Sequence, residues 1–330
     1  MKAKGILSLL LIAAVLACLF AGCGSGRAKV DWETYDGTTR SLYLSGSGLE
    51  DKDIAPLQDL TGLASLSLWK NKISDLCPLK NLTSLKSLDL SGNRISDLSP
   101  LTGLTNLTAL DLGGNQISDL TPLAKLTSLT ELRLWGNKIS DLSPLTGLTN
   151  LTTLDLDSNS ISNLTPLTGL ANLAGLYLDG NQISNLTPLT KLTNLKYLKV
   201  RNNKIADWSP VAHVMDVQGN PGKAVPVTKA AAKLKTGRIF YVSLEETQSI
   251  PMRWKAYIAD ESLVRLICTD VKTPWHIVYM SGSPGGKRIF YFEALGPGEC
   301  TIDMYLLPIN RDYDIAQISP DCSYTITIED

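Results

Sequence analysis

The sequence predicts a mainly β protein, a solenoid of parallel strands followed by an antiparallel β-sandwich of immunoglobulin-like size. First, one pattern occurs seven times between residues 63 and 211, at a constant period of 22 residues. Second, leucines alternate within each copy, which is typical of a short strand with one buried face. Third, the composition changes after residue 237, where leucine becomes rarer and short β-branched and aromatic runs begin.

Each copy reads L-x-x-L-x-L-x-x-N-x-I-x-x-L-x-x-L-x-x-L, as in the copy that opens at Leu107. The alternation of Leu110 and Leu112 predicts the strand. Asn115 follows where the chain must leave it, and stacked asparagine amides can bond loop groups of their own and neighbouring repeats that would otherwise be buried unpaired. The second half repeats every third residue, and Pro122 favours a 3₁₀ turn over a long helix there. One copy cannot bury its own leucines, so the copies must stack.

This pattern resembles the short leucine-rich repeats of bacterial internalins, over about half of the chain. The resemblance implies a curved solenoid that binds a protein or peptide on its concave sheet. We assign residues 38–217 to this leucine-rich-repeat solenoid, comprising an atypical first repeat, seven regular repeats and an end cap. Terminal repeats are expected to be atypical because they shield the open ends of the core.

The side chains that alternate with the buried leucines point outward, onto the predicted concave face. They place acidic groups in the middle, basic groups in the last repeat and two tryptophans three repeats apart. Aromatic residues are enriched in binding hot spots, although most of the Asp and Ser side chains fit ordinary solvated positions equally well. The predicted protein-binding residues are Trp69, Asp89, Asp111, Arg133, Trp135, Asp155, Asp157, Tyr177, Asp179, Tyr197, Lys199 and Arg201.

Catalytic, metal and cofactor chemistry has little support. Asp155, Asp157 and Asp179 fall on adjacent predicted strands, but a hard cation requires more oxygen ligands than these carboxylates supply. The only histidines are His213 and His276, and there is no nucleophile–base constellation, phosphate-binding loop or zinc spacing. We therefore expect a non-enzymatic protein without metal, cofactor or catalytic residues. The net charge of −1 gives no general attraction to nucleic acid.

Residues 1–23 have the features of a bacterial targeting segment. Basic residues precede an apolar run at 6–20 that is short for a spanning helix. The run ends in Phe20-Ala21-Gly22-Cys23, which resembles a lipobox and implies cleavage before Cys23 and lipidation of its thiol. The protein would then be extracytoplasmic, on the cell surface or in the periplasm, touching the membrane only through its lipid anchor. An ordinary secretory signal with an incidental cysteine fits the same residues, and the polar segment 24–37 is expected to be a tether.

The C-terminal part is predicted to consist of a linker at 218–236, with a short helix at 229–234, and a β-sandwich at 237–330. Turn signals containing glycine and proline separate the strand-like runs. The predicted strands are 239–244, 254–258, 263–268, 276–280, 288–294, 300–306 and 323–328. Cys77, Cys268, Cys300 and Cys322 form an even set that could oxidise outside the cytoplasm. Cys300 and Cys322 fall on neighbouring predicted strands, but hairpin register does not bring them opposite each other, so no pairing is assigned.

This segment resembles the chagasin-like inhibitors of papain-family cysteine proteases. Trp254, the run Ser283-Pro284-Gly285-Gly286 with the strand after it, and Pro308 carry the likeness. The first loop departs from the family, because Thr247-Gln248-Ser249-Ile250-Pro251 stands where the family has N-P-T-T-G. In the family three loops form a wedge that blocks the protease cleft. The corresponding residues here are Ser249, Ile250, Pro251, Pro284, Gly285, Gly286, Pro308 and Ile309.

Two functions therefore compete at the level of sequence. The first is an envelope-anchored binding protein that recognises a protein or peptide through its concave face. The alternative is an inhibitor of papain-family cysteine proteases that acts through the C-terminal loops. The same β-sandwich could also have been retained as a spacer or as a different binding module.

Overall fold

A computed structural model describes most of the chain from residue 30 onward. The described residues are 30–214, 216–219, 225–226, 231–236, 238–246, 252–259, 261, 263–272, 286–308, 320 and 322–329. The predicted signal segment with Cys23, most of the predicted tether and the predicted strand at 276–280 lie outside these residues. Within the described residues, no helix has both the length and the apolar character needed to cross a bilayer.

Nine short parallel strands form the sheet of the solenoid, each pairing with the next along the chain. They are β1 (Ser41–Tyr43), β2 (Ser65–Ser67), β3 (Ser87–Asp89), β4 (Ala109–Asp111), β5 (Glu131–Arg133), β6 (Thr153–Asp155), β7 (Gly175–Tyr177), β8 (Tyr197–Lys199) and β9 (Asp216–Gln218). Leu110 lies opposite Leu88 on one side and Leu132 on the other, so equivalent leucines form one file through the core. The predicted solenoid is confirmed, because the period of 22 residues sets this register.

The opposite side of the solenoid consists of 3₁₀ turns, as the proline positions predict. The turns in the repeats are Cys77–Leu79, Ser99–Leu101, Thr121–Leu123, Ser143–Leu145, Thr165–Leu167, Thr187–Lys191 and Ser209–Val211. Proline suits the first residues of such a turn because it needs no N–H donor there. An aspartate or asparagine two residues before the first residue of the turn accepts the N–H of that first residue, as Asp119 Oδ1 does from Thr121 at 2.8 Å. That hydrogen bonding lowers the pKa of Asp119 below its ordinary value.

The repeated asparagines form a buried hydrogen-bonded ladder. The Asn115 amide donates to the carbonyls of Leu90 and Leu112 at 3.0 Å, and its Oδ1 accepts the N–H of Ile95 at 3.0 Å. Leu90 and Ile95 belong to the preceding repeat, so one side chain joins two repeats. This confirms the predicted role of the asparagines and explains why a polar residue is only 8% exposed in an apolar core.

Eight further strands follow the solenoid among the residues that the structure describes. They are β10 (Val225–Pro226), β11 (Ala231–Lys235), β12 (Ile239–Glu246), β13 (Met252–Ile258), β14 (Val264–Lys272), β15 (Gly286–Ala294), β16 (Gly298–Pro308) and β17 (Cys322–Glu329). Strands β14, β15 and β12 pair antiparallel, as do β17, β16 and β13 in a second sheet. The predicted antiparallel sheets are thus confirmed.

The segment predicted as a linker contains two of these strands, β10 and β11. The short helix predicted at 229–234 is wrong, because β11 pairs in parallel with β17, with Ala232 opposite Ile326 and Leu234 opposite Ile328. Ala232 and Leu234 pack against the core of the β-sandwich, whereas Lys233 and Lys235 are exposed. This burial of alternate residues stabilises a strand over a short helix.

The solenoid sheet continues directly into the C-terminal sheet. Thr269 of β14 pairs in parallel with Gln218 of β9, which joins both regions in one sheet with 13 described strands. Ile267 and Tyr291 are buried in the same hydrophobic cluster as the repeat leucines. A second cluster, in which Phe240 stacks on Phe292 at 5.3 Å between ring centroids, holds the β-sandwich together. The last repeat is therefore covered by apolar contacts of the C-terminal region.

Candidate functional site

The outward side chains of β1–β9 and of the residues directly after each strand form one continuous surface, which we call the concave face. The ladder places Asp89, Asp111 and Arg133 side by side on β3, β4 and β5. It continues past the strands, since the Gly114 N–H donates to the Trp135 carbonyl at 2.7 Å. All twelve residues predicted for this face lie on it, and each is exposed or half-buried.

An aromatic cluster with a cation occupies the C-terminal half of the concave face. The rings of Tyr177 and Tyr197 are 5.3 Å apart between centroids and tilted by 52°. Lys199 Nζ lies 5.2 Å from the Tyr177 centroid and 5.9 Å from that of Tyr197. The Lys199 ammonium group therefore makes a cation–π contact with each ring. Burial raises the pKa of the Tyr177 and Tyr197 hydroxyl groups. This cluster is a preformed, half-exposed platform of the kind that binding hot spots use.

A ladder of carboxylates lies beside this platform. Asp155 Oδ1 accepts the N–H of Asp157 at 3.0 Å, and Asp157 Oδ1 accepts the N–H of Asp179 at 2.7 Å. Asp179 Oδ2 accepts from Arg201 Nε at 2.8 Å. Burial, with the neighbouring Asp155 and Asp179 carboxylates, raises the pKa of Asp157 to about 7. These oxygens therefore serve the protein's own backbone and Arg201, and no group of metal-binding residues occurs among the described positions.

The two tryptophans of the concave face do not meet. The Trp135 indole lies across Gly113 and Gly114 of the preceding repeat. A Cβ atom added to Gly113 would fall 2.1 Å from the Trp135 Nε1, so only glycine leaves room for the ring there. The Trp135 side chain remains 38% exposed. Trp69 is 46% exposed, with Lys70 Nζ 5.9 Å from its ring centroid. The two consecutive glycines at 113 and 114 are the sequence signal that the Trp135 indole lies against the preceding repeat.

The N-terminal half of the concave face contains a cavity of about 370 Å³, which we call the N-terminal groove. Tyr43 stands at one end and Arg133 at the other. Arg133 forms a tight ion pair with Glu131 and a looser contact of 3.6 Å with Asp111. Tyr43 and Glu131 are not among the residues predicted from the sequence for this face. A signal was present for Glu131, since it stands two residues before Arg133 and therefore on the same face of a strand.

The predicted inhibitory loops fall mostly outside the described residues, which include only Gly286 and Pro308 of the eight. Gly286 opens β15 opposite Glu246, the last residue of β12. Pro308 ends β16 opposite Met252, the first residue of β13. Only five residues, 247–251, separate Glu246 from Met252, so the strands that flank the predicted loops reach one end of the β-sandwich.

Cys77, Cys300 and Cys322, the cysteines whose side chains the structure describes, form no disulfide. Cys77 is exposed, Cys300 is buried and Cys322 is half-buried. Cys300 pairs with Ile326 across the ladder, whereas Cys322 pairs with Met304. The register explains this, because it separates the two cysteines along neighbouring strands.

Comparison with protein families separates the chain into two parts. The family Leucine Rich repeats (2 copies) matches residues 83–125, 127–169 and 171–213. The Chagasin family peptidase inhibitor I42 matches residues 233–326. No curated protein matches the chain.

Solved structures include related solenoids. An internalin C2 (inlC2) from Listeria monocytogenes is 40% identical, with 55% of this chain and 80% of that chain covered and a TM-score of 0.53. An internalin (inlF) from the same organism is 35% identical over 56% of this chain and 61% of its own, with a TM-score of 0.47. A TDR receptor shares the fold at 22% identity and a TM-score of 0.51, with 56% of this chain and 34% of its own covered. The identity to internalin C2 over 80% of that chain and the chagasin-family match at residues 233–326 show that this chain belongs to the internalin-like leucine-rich-repeat proteins and carries a chagasin-like domain.

Proposed function

We propose that the protein is an envelope-anchored binding protein that recognises a protein or peptide through its concave face. The observation that carries the proposal is the half-exposed platform of Tyr177, Tyr197 and Lys199, which is preformed on a rigid sheet. Tyrosine buries a large area on binding and loses little conformational freedom when it is already held in place. Anchoring would come from lipidation of Cys23.

A photo-crosslinking experiment tests which face binds. A benzophenone amino acid is introduced at Tyr177 in one variant of the full chain and at Lys125, on the side of the 3₁₀ turns, in a matched control. Both variants are expressed at the native envelope and irradiated. We expect defined adducts from position 177 and none from position 125. Adducts from position 125 alone would show that the solenoid binds with its other side.

The second candidate function, inhibition of a papain-family cysteine protease, is favoured by the chagasin-family match over residues 233–326. It is further supported by the strand ends that flank the predicted loops, since Glu246 and Gly286 are paired and Met252 pairs with Pro308. Loops anchored at one end of a β-sandwich can present a single edge to a cleft. Because Ile267 and Tyr291 share the core of the solenoid, the full chain is the appropriate reagent.

Titration of papain activity with the full chain tests this second function. Inhibition at micromolar concentration that is lost in Ile250→Asp and retained in Tyr177→Ala would assign it to the C-terminal loops. A full chain that leaves papain and related proteases fully active at that concentration would remove this function. It would leave the concave-face proposal untouched, because that proposal depends on different residues.

A further inference from the structure

The N-terminal groove has small residues along its floor. They belong to β2, β3 and β4 and are Ser65, Ser67, Ser87 and Ala109. Tall side chains close the ends, since Tyr43 of β1 is 68% exposed and Arg133 stands on β5. Four strand spacings separate β1 from β5, so the two walls arise about 19 Å apart at the backbone. The groove is therefore long enough for a short segment of another protein.

The charge in this groove is not balanced. Asp89 and Asp111 are direct neighbours on β3 and β4, and like charges in that position destabilise a sheet. Arg133 is held tightly by Glu131 and reaches Asp111 only at 3.6 Å. No described cation forms an ion pair with Asp89. The three carboxylates and one guanidinium leave a net charge of −2 at the groove.

The oxygens of Asp89 differ in how they are used. Oδ1 accepts from the N–H and hydroxyl of Ser91 at 3.0 and 2.6 Å, which fixes the side chain. Oδ2 accepts only a long contact of 3.3 Å from the Ser67 hydroxyl. One oxygen is thus held in position by the protein while the other retains acceptor capacity. Burial raises the pKa of Asp111, and the Asp89 charge raises it further. A bound cation would therefore reduce the electrostatic repulsion between these two carboxylates.

We propose that the N-terminal groove takes the cationic side chain of a lysine or arginine presented by the partner protein. The ammonium or guanidinium group would sit between the Asp89 and Asp111 carboxylates, in charge-assisted hydrogen bonds. The aliphatic stem would lie over the floor of small residues, towards the exposed ring of Tyr43. This proposal rests on the proposed function and specifies what the partner must carry.

Selection of peptides from a random 12-residue phage library against the full chain tests the proposal. The variant is Asp89→Asn/Asp111→Asn, which keeps the Oδ1 acceptors and removes both charges. The matched control is Asp97→Asn/Asp119→Asn, which removes two charges from adjacent repeats on the side of the 3₁₀ turns. Circular dichroism of each variant establishes that the fold is unchanged.

We expect the selected peptides to share a lysine or arginine at one position. Their affinity should fall at least about tenfold in Asp89→Asn/Asp111→Asn and stay unchanged in the control. Replacement of that residue by its uncharged analogue, citrulline for arginine or acetyl-lysine for lysine, should cause a loss of similar size. Together these results would assign the cation to the groove.

Peptides without a shared basic residue, or with affinity unchanged in Asp89→Asn/Asp111→Asn, would overturn the groove proposal. The proposed function would then still stand if Trp135→Ala/Tyr177→Ala weakens the same peptides. Peptides that neither double variant weakens, or a library from which nothing is retained, would contradict both. The two failures can therefore be told apart.

Discussion

Replacement of one buried asparagine tests how the stacked repeats are held together. In Asn115→Ala the Ile95 N–H loses its acceptor, and the described structure offers it no other. The two carbonyls each keep one hydrogen-bond donor, because Leu90 still accepts from the Asn93 amide and Leu112 from the Asn137 amide. A single buried donor is therefore orphaned, which costs about 1 to 3 kcal/mol, and the weakened carbonyl contacts add about 1 kcal/mol.

We therefore expect Asn115→Ala to lower the free energy of unfolding by about 2 to 4 kcal/mol. The assay is urea unfolding of the full chain, followed by far-ultraviolet circular dichroism at neutral pH. Asn106→Ala is the matched control, because Asn106 is exposed and its amide donates only to the Thr83 carbonyl at 2.9 Å. Its effect should stay within about 0.5 kcal/mol.

The reasoning would be refuted if Asn115→Ala and Asn106→Ala had equal effects. It would also fail if Asn115→Ala cost less than about 0.5 kcal/mol, since the asparagine would then be replaceable by any small residue. Either result would mean that leucine burial alone specifies the register of the repeats.

Three further predictions concern the concave face and the last repeat. Gly113→Ala should displace the Trp135 indole and shift its 5-fluorotryptophan NMR signal, whereas Gly147→Ala, whose Cβ meets nothing within 4 Å, should leave that signal in place. Because the folded-state pKa of Asp157 is raised to about 7, the folded state binds a proton that the unfolded state lacks between pH 4 and 7, so stability falls as pH rises through that range. Asp157→Asn should match the wild type in urea unfolding at pH 4 and exceed it by about 1 to 2 kcal/mol at pH 8, an amount kept small by partial exposure to water; equal stability at pH 8 would contradict the shift. The Trp208 Nε1 is buried and forms no hydrogen bond with any described residue, so Trp208→Phe should cost less than about 1.5 kcal/mol in urea unfolding while Trp208→Ala costs about 3 to 5 kcal/mol. Similar costs for the two variants would contradict this.

The repeat region could be predicted in detail because its structure is set locally. A fixed period specifies which leucine lies opposite which, and the asparagine and proline positions specify the turns, so strands, ladder and concave-face residues follow from the sequence alone. The twelve residues chosen for that face lie on it because side chains alternate strictly along a strand.

Other features could not be predicted because they depend on contacts between residues distant in the sequence or on side-chain geometry. The pairing of Thr269 with Gln218 joins strands about fifty residues apart, and no local pattern encodes that register. The strand β11 forms only because β17 is available beside it. The tight pairing of Arg133 with Glu131, which leaves Asp89 uncompensated, depends on side-chain geometry rather than on spacing.

The dissociation constant of the photo-crosslinked partner, measured for a pair of matched double variants, tests the central claim most directly. If the concave face is the binding surface, Tyr177→Ala/Tyr197→Ala should weaken binding by about a thousandfold, since two hot-spot aromatics at about 2 kcal/mol each account for about 4 kcal/mol. Lys80→Ala/Lys125→Ala, on the side of the 3₁₀ turns, should leave the dissociation constant unchanged. Equal affinity of the wild type and the tyrosine variant, or a loss confined to the lysine variant, would contradict the account.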